Sequence, residues 1–166
     1  MEIIYDEYPP NYKKIAKTFN IKGRTNIVFT YGDKLYVPGG RTLNIDQPLL
    51  RHEETHARRQ AEMGVEAWYE RYLADPGFRF MQELEAYRNQ YRAMAELPFE
   101  RRIGYLDHIS SELAGEMYGN LVTKDEAKAE ITKGIILKHV GGTKHKHLTI
   151  RKLKKRQRQN RKKGRR

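Results

Sequence analysis

Residues 49–60, LLRHEETHARRQ, lie at the centre of a predicted helix, and the rest of the chain is best understood from this element. Asp46 can cap the N-terminus of the helix, Pro48 suits its first turn, and Gly64 is the next residue that would end it. These signals predict a helix over residues 46–63. Its apolar contacts are expected to come from Leu49, Leu50, Ala57 and Ala61.

Two histidines of this helix, His52 and His56, are four positions apart and therefore lie one turn apart on the same face. Their imidazoles can reach one Zn²⁺ ion, and the adjacent Glu53 is placed to hold a water molecule on that ion rather than to bind it. Two imidazoles do not complete the site, because a catalytic zinc has three protein ligands and an open fourth position. The alternative is a solvated helix that carries two surface histidines.

The third ligand is expected to be a carboxylate, because the chain contains no cysteine and a metal site in it must use histidine and acidic side chains. The pattern of residues 78–97 predicts a long helix with an apolar stripe. Glu83 and Glu85 both lie on this helix, and each can bring a carboxylate to the two histidines. The residues alone leave the choice between them open.

The remaining segments predict a mainly helical α+β fold, in which a small antiparallel sheet or hairpin precedes a helical core and a basic disordered tail follows it. Strand-like residues 25–30 and 35–37 flank a turn, which predicts a hairpin, and residues 3–5 form a further short strand. The edge of the hairpin either pairs with an extended peptide or only shields the motif helix. Other helices are expected over residues 11–19, 65–73, 98–118 and 123–139.

The net charge of +12 is concentrated near the C-terminal end of the sequence. Residues 144–166 contain 13 lysines and arginines and no acidic residue, whereas the first 143 residues hold the other 20 basic side chains and all 21 acidic ones. We therefore expect a nearly neutral domain over residues 1–143 and a basic tail over residues 144–166. The acidic N-terminus does not resemble a signal peptide, and no run approaches 18 apolar residues, so no membrane partner is expected.

Basic tails without acidic residues bind phosphate backbones by releasing counterions, with little preference for base sequence. The tail is therefore expected to be disordered when free and to bind DNA or RNA. A docking arm for an acidic protein surface and a solvated tail without a partner are the alternatives. The expected nucleic-acid contacts are Lys152, Lys154, Lys155, Arg156, Arg158, Arg161, Lys162 and Lys163.

The His-Glu-x-x-His motif at residues 52–56 and the later Glu-x-x-Ala that begins at Glu83 together resemble the gluzincin pattern of the zincin superfamily of metallopeptidases. The resemblance covers roughly residues 45–92 and extends to small zincin-like proteins of bacteria and phages. It favours Glu83 over Glu85 as the third ligand, because Glu83 matches the frame of the pattern. The chain departs from the pattern at Tyr87, where Asp or Asn is usual.

The resemblance implies a zinc-dependent metallopeptidase with the metal held by His52, His56 and Glu83. Zinc in such a site lowers the pKa of a water molecule towards about 7 and polarises the scissile carbonyl. Glu53 would act as the general base and later pass the proton to the leaving amine. An additional donor for the oxyanion is expected. The candidate donors are Tyr87, Tyr91, Tyr118 and His108.

These features predict a zinc metallopeptidase that acts on a protein or peptide substrate and carries a nucleic-acid-binding tail. The alternative is a non-catalytic structural or nucleic-acid-binding protein on a zincin scaffold, such as a component of a phage virion. Glu53 favours catalysis, because a structural zinc site does not need this carboxylate. The expected location is the cytoplasm, or the virion if a phage encodes the chain.

Overall fold

The computed structural model describes residues 1–95 and 97–135, and these fall into two compact units, one over Met1–Ala74 and one that begins at Asp75. A small sheet and helices make up the first unit, and helices make up the described part of the second. The predicted mainly helical α+β fold is therefore correct. The proposed boundary at residue 143 and the basic tail lie outside the described residues.

The first unit contains a three-stranded mixed sheet with the strand order β1-β3-β2. The hairpin strands β2 and β3 are antiparallel, as expected, and β1 joins β3 in parallel. A short 3₁₀ helix over Gly40–Thr42 follows the sheet. The elements of this unit are β1 (Glu2–Tyr5), α1 (Tyr12–Phe19), β2 (Phe29–Tyr31), β3 (Lys34–Val37), α2 (Gln47–Met63) and α3 (Val65–Ala74).

The strand predicted over residues 25–30 is shorter than expected, because β2 begins only at Phe29. Phe29 pairs with Tyr36 near the end of β3, and Pro38 follows β3 directly. Proline has no backbone N–H to donate to a ladder, so β3 offers no pairing partner for the residues that precede Val28. The length of β2 is thus set by where its partner strand ends.

The motif helix α2 has the termini that the sequence predicts. Asp46 adopts an extended backbone and accepts a hydrogen bond from the Leu49 backbone N–H at 2.9 Å. At the other end, Gly64 has φ +88° and donates its N–H to the Gln60 carbonyl at 2.8 Å. A residue with a side chain would be strained at this φ, which explains why the helix ends at a glycine.

The face that α2 buries differs from the expected one. Leu49, Leu50 and Ala57 are only half-buried, and Ala61 is exposed. The expected apolar contact is therefore wrong for Ala61, and the residues that α2 buries most completely are of other types. The buried residues of α2 are Pro48, His52, Glu53, Thr55, His56 and Gln60.

The second unit is built around an apolar core, and each of its three helices is shorter than predicted. The helices are α4 (Pro76–Ala93), α5 (Phe99–Leu113) and α6 (Lys124–Thr132), with a 3₁₀ turn at Glu116–Tyr118. The Thr123 capping box is present as expected, with the hydroxyl and the Glu126 carboxylate each accepting a backbone N–H. The core includes Phe80, Leu84, Tyr87, Tyr91, Leu106, Ile109, Leu113, Ala127 and Ile131.

A partly buried ion pair links α4 and α6. The Arg88 guanidinium donates to the Glu130 carboxylate at 3.0 Å and to the Glu130 backbone carbonyl at 2.7 Å. Burial lowers the pKa of Arg88, and the Glu130 carboxylate acts in the opposite direction. In the described part of the chain, no helix has the length and apolar character needed to cross a bilayer.

Candidate metal centre

The buried face of α2 is polar, which is unusual for a helix of a small globular protein. Only 7% of His52, 6% of Glu53 and 6% of His56 is exposed, and Gln60 is fully buried. Burying such groups costs free energy unless they find hydrogen bonds, charges or a metal. The partners of these side chains therefore indicate what this face does.

The two histidines of α2 converge on one point. Their Nε2 atoms lie 3.0 Å apart, with ring centroids 4.8 Å apart and ring planes 74° apart. The Trp68 ring packs edge-on against His56, with a centroid distance of 5.6 Å. Two imidazole lone pairs this close repel each other unless a proton or a cation lies between them. The alternative of two solvated surface histidines is therefore wrong.

Glu53 turns towards the sheet and is held by β2. The Thr30 hydroxyl donates to Glu53 Oε2 at 2.7 Å and lies 3.4 Å from the Glu53 backbone carbonyl oxygen. Both side chains are buried. Hydrogen bonds to a carboxylate are stronger than those between neutral groups, so the shorter contact fixes the position of the carboxylate. Among residues 1–95 and 97–135, Oε1 of Glu53 has no hydrogen-bond partner.

Gln60 attaches α2 to the same strand through both atoms of its amide. Its Oε1 accepts the Gly32 backbone N–H at 2.8 Å, and its Nε2 donates to the Thr30 carbonyl at 2.9 Å. The Tyr69 hydroxyl donates to this carbonyl as well, at 2.6 Å. The amide thus occupies the hydrogen-bonding positions that an extended peptide would need at Thr30. Of the two roles considered for the hairpin edge, shielding of the helix agrees with these contacts.

The two candidate third ligands on α4 have different surroundings. Only 4% of Glu83 is exposed, whereas Glu85 is half-buried. The Glu85 carboxylate raises the pKa of Arg88, although burial and Glu130 have larger effects on that pKa. Within the described ranges, one group of three side chains could hold a metal ion, and it consists of His52, His56 and Glu83. Each offers one ligand atom, and these atoms lie within 4.8 Å of one another.

Of the four candidate oxyanion donors, Tyr87 and Tyr118 lie near Glu83. Burial raises the pKa of the Tyr87 hydroxyl far above its usual value, the Glu83 carboxylate raises it further, and a hydrogen bond with Tyr118 lowers it. Tyr91 is buried in the apolar core, and its hydroxyl has no hydrogen-bond partner in the described ranges. His108 is exposed on α5, next to the Tyr105 ring.

Thr30 and Gln60 were not identified from the sequence. Gln60 follows His56 by four positions and therefore lies on the same helix face, which is a signal that could have been used. Thr30 carries no such signal, because it lies 23 positions before Glu53 and meets it only through the packing of β2 on α2. A threonine in a strand is ordinarily explained by its strand propensity alone.

Comparisons of this chain with models of known protein families, with curated proteins and with solved structures give no match. The resemblance to the zincin superfamily thus rests on the residues named above. The eight predicted nucleic-acid contacts between Lys152 and Lys163 lie outside the described residues.

Proposed function

We propose that this protein is a zinc-dependent metallopeptidase, in which His52, His56 and Glu83 bind the metal and Glu53 is the general base. The observation that carries the proposal is the buried pair of imidazole Nε2 atoms 3.0 Å apart, with a carboxylate oxygen of Glu83 in the same group. Two imidazoles and one carboxylate form a donor set that zinc accepts in hydrolases, with a fourth position open. The residues present therefore fit this metal.

A zinc ion held by these ligands supplies Lewis-acid chemistry, because it polarises a carbonyl oxygen and acidifies a water molecule. The other steps belong to side chains of this chain. Glu53 takes the proton of the attacking water on Oε1, the oxygen that Thr30 does not contact, and then delivers it to the leaving amine nitrogen. The burial of Glu53 keeps competing water away from its carboxylate.

Tyr87 is the proposed donor to the oxyanion. It lies one helical turn after Glu83 on α4, and its raised pKa keeps the hydroxyl protonated at neutral pH. A protonated phenol can donate a hydrogen bond to the negative charge that develops on the scissile carbonyl oxygen. Tyr87→Phe should therefore lower kcat by about 10²–10³-fold while the protein keeps its zinc.

The metal ligands are tested by measuring the zinc content of the full-length protein. Wild type should contain about one zinc per chain. Glu83→Gln should lose most of it, whereas the matched control Glu85→Gln should keep it. The absence of zinc from wild type after zinc is added would contradict the proposal, and loss of zinc only from the Glu85 variant would contradict the assigned ligand.

The catalytic role is tested with a library of quenched-fluorescent peptides. Glu53→Gln should reduce hydrolysis by about 10²–10⁴-fold and keep its zinc, because this residue moves a proton and does not bind the metal. Zinc binding without hydrolysis in wild type would favour a structural metal site, which is the alternative considered from the sequence. Equal hydrolysis by wild type and the Glu53 variant would contradict the role of Glu53 as the general base.

We also propose that residues 144–166 bind DNA or RNA without sequence preference, a proposal supported by their 13 basic residues and absence of acidic ones. A chain that ends at residue 143 should lose this binding and keep its zinc. The affinity of the full-length chain should fall with salt, with a slope of about −0.9 per neutralised phosphate on duplex DNA. Salt-independent binding, or binding that persists without the tail, would contradict this part.

A further inference from the structure

We propose that Thr30 is a positioning residue, which holds the Glu53 carboxylate in the orientation that general-base catalysis needs. This inference rests on the proposed peptidase function. Its basis is the 2.7 Å hydrogen bond from the Thr30 hydroxyl to Glu53 Oε2, between two buried side chains. Because Thr30 occupies one carboxylate oxygen, the two oxygens of Glu53 become inequivalent, and Oε1 is the one left to accept a proton.

Thr30 is itself well fixed, as a positioning residue must be. It pairs with Leu35 in the register of β2 and β3, and its carbonyl accepts hydrogen bonds from Gln60 and Tyr69. The threonine side chain is branched at Cβ, so it has few rotamers and its hydroxyl has a narrow range of positions. These three contacts and the branched side chain thus determine where the donor to Glu53 lies.

A purely structural role would not require the carboxylate contact. The Thr30 hydroxyl also lies 3.4 Å from the Glu53 backbone carbonyl, a contact that by itself would give a buried hydroxyl its partner. The shorter bond goes instead to the group that is proposed to move the proton. Free rotation of Glu53 would place its oxygens differently, and a displacement of about 1 Å costs up to about 10²-fold in rate.

The test compares Thr30→Val, which has nearly the same shape but no donor, with Thr30→Ser, which keeps the hydroxyl. Kinetics of peptide hydrolysis, zinc content and thermal midpoint are measured on the zinc-loaded full-length protein. Thr30→Val should lower kcat by about 10- to 100-fold with little change in KM and no loss of zinc. Thr30→Ser should restore most of kcat.

Thr132→Val is the matched control, because it makes the same substitution in α6, where the hydroxyl donates to the Lys128 carbonyl. It should leave kcat unchanged. If Thr30→Val does not fold, Thr30→Cys is compared with Thr30→Ser, since a thiol is a much weaker hydrogen-bond donor than a hydroxyl at the same position. The cysteine variant should then have the lower kcat.

Two results would overturn the inference while leaving the proposed function intact. The first is a wild-type kcat in Thr30→Val, or equal kcat values in the cysteine and serine variants. The second is an equal loss of kcat in Thr30→Val and Thr30→Ser, which would indicate that kcat depends on how the threonine side chain packs and not on its hydroxyl. If wild type neither binds zinc nor hydrolyses peptides, the proposed function fails first and the role of Thr30 falls with it.

Discussion

Helix α2 and the helices of the second unit bury very different faces. The second unit encloses aromatic and aliphatic side chains, among them Phe80, Leu106 and Ile131, which are fully buried. Apart from a proline, the residues that α2 buries are polar: two histidines, a glutamate, a threonine and a glutamine. Both faces exclude water, but only the first consists of residue types that gain free energy from that exclusion alone.

The difference suggests separate roles within one chain: the apolar core of the second unit provides stability, and the polar face of α2 provides groups for chemistry. Burying apolar surface contributes about 25 cal/mol per Å², so the core of the second unit needs no other explanation. Burying an unpaired polar group costs roughly 1–3 kcal/mol, so α2 needs a partner for each of its groups. Glu53 and Gln60 form hydrogen bonds, and the two histidines would bind the proposed metal.

The largest expected effect is that of metal on stability, because the proposed ion binds two buried histidines of the folded chain that the unfolded chain does not hold together. Zinc at 1,000 times its Kd should raise the free energy of unfolding by about 4 kcal/mol over the chelated protein. Urea unfolding with and without zinc measures this difference. His52→Asn should abolish the rise, and the exposed His108→Asn should keep it. An equal rise in both variants would place the zinc elsewhere.

The next largest effect concerns the apolar core. Leu106 is 0% exposed, and Leu106→Ala should lower the free energy of unfolding by about 2–5 kcal/mol through lost burial and a cavity. Zinc content per folded chain should not change. Urea unfolding and elemental analysis measure the two quantities. Ile103→Ala, at a half-buried position of the same helix, should cost less. Loss of zinc from the Leu106 variant would show that zinc binding depends on the apolar core, and would contradict the distinction between the two faces.

A smaller effect is expected at Gln60, where the polar face contributes to stability without the metal. Gln60→Leu should lower the free energy of unfolding by about 1–3 kcal/mol, because the Gly32 N–H loses its acceptor and the Thr30 carbonyl loses one donor. Amide hydrogen exchange at Gly32 should become faster. The exposed Gln47→Leu on the same helix is the control and should have little effect. An unchanged Gly32 exchange rate would show that another group accepts the hydrogen bond of this backbone N–H.

The smallest effect is expected at the cap of α6. Thr123→Ala removes the hydroxyl that accepts the Glu126 N–H at 3.2 Å and should cost about 1 kcal/mol. Thermal unfolding measures the change, and zinc content should stay constant. Thr18→Ala, which removes an exposed hydroxyl from inside α1, is the comparison and should have little effect. A larger loss at Thr18 than at Thr123 would contradict the role assigned to the cap.

Much of the fold follows from local patterns in this sequence. The termini of α2 were predicted from Asp46 and Gly64, since capping depends on residues within one turn of the helix end. The apolar stripe of α4 was predicted from its spacing and is buried. The ends of α5 and α6 were placed too late, because helix periodicity persists in the pattern after the capping residues stop the helix.

The candidate site was only partly predictable. His52, Glu53 and His56 could be named because their spacing makes them neighbours on any helix. The pattern does not show which face of α2 is buried, since either its leucines or its histidines could pack against the rest of the chain. The partners of Glu53 were missed for a related reason, because Thr30 is distant in sequence and has no distinctive chemistry.

Residues within one or two turns of each other dictate the helices, their caps and the histidine pair, because hydrogen bonds and side-chain neighbours in a helix are local. Contacts between distant segments select the buried face of α2, the parallel pairing of β1 with β3 and the donor to Glu53. They also distinguish Glu83 from Glu85, which differ in burial although they lie two positions apart on one helix. Local spacing supplies the groups that can do chemistry, and long-range packing determines which of them are desolvated and brought together.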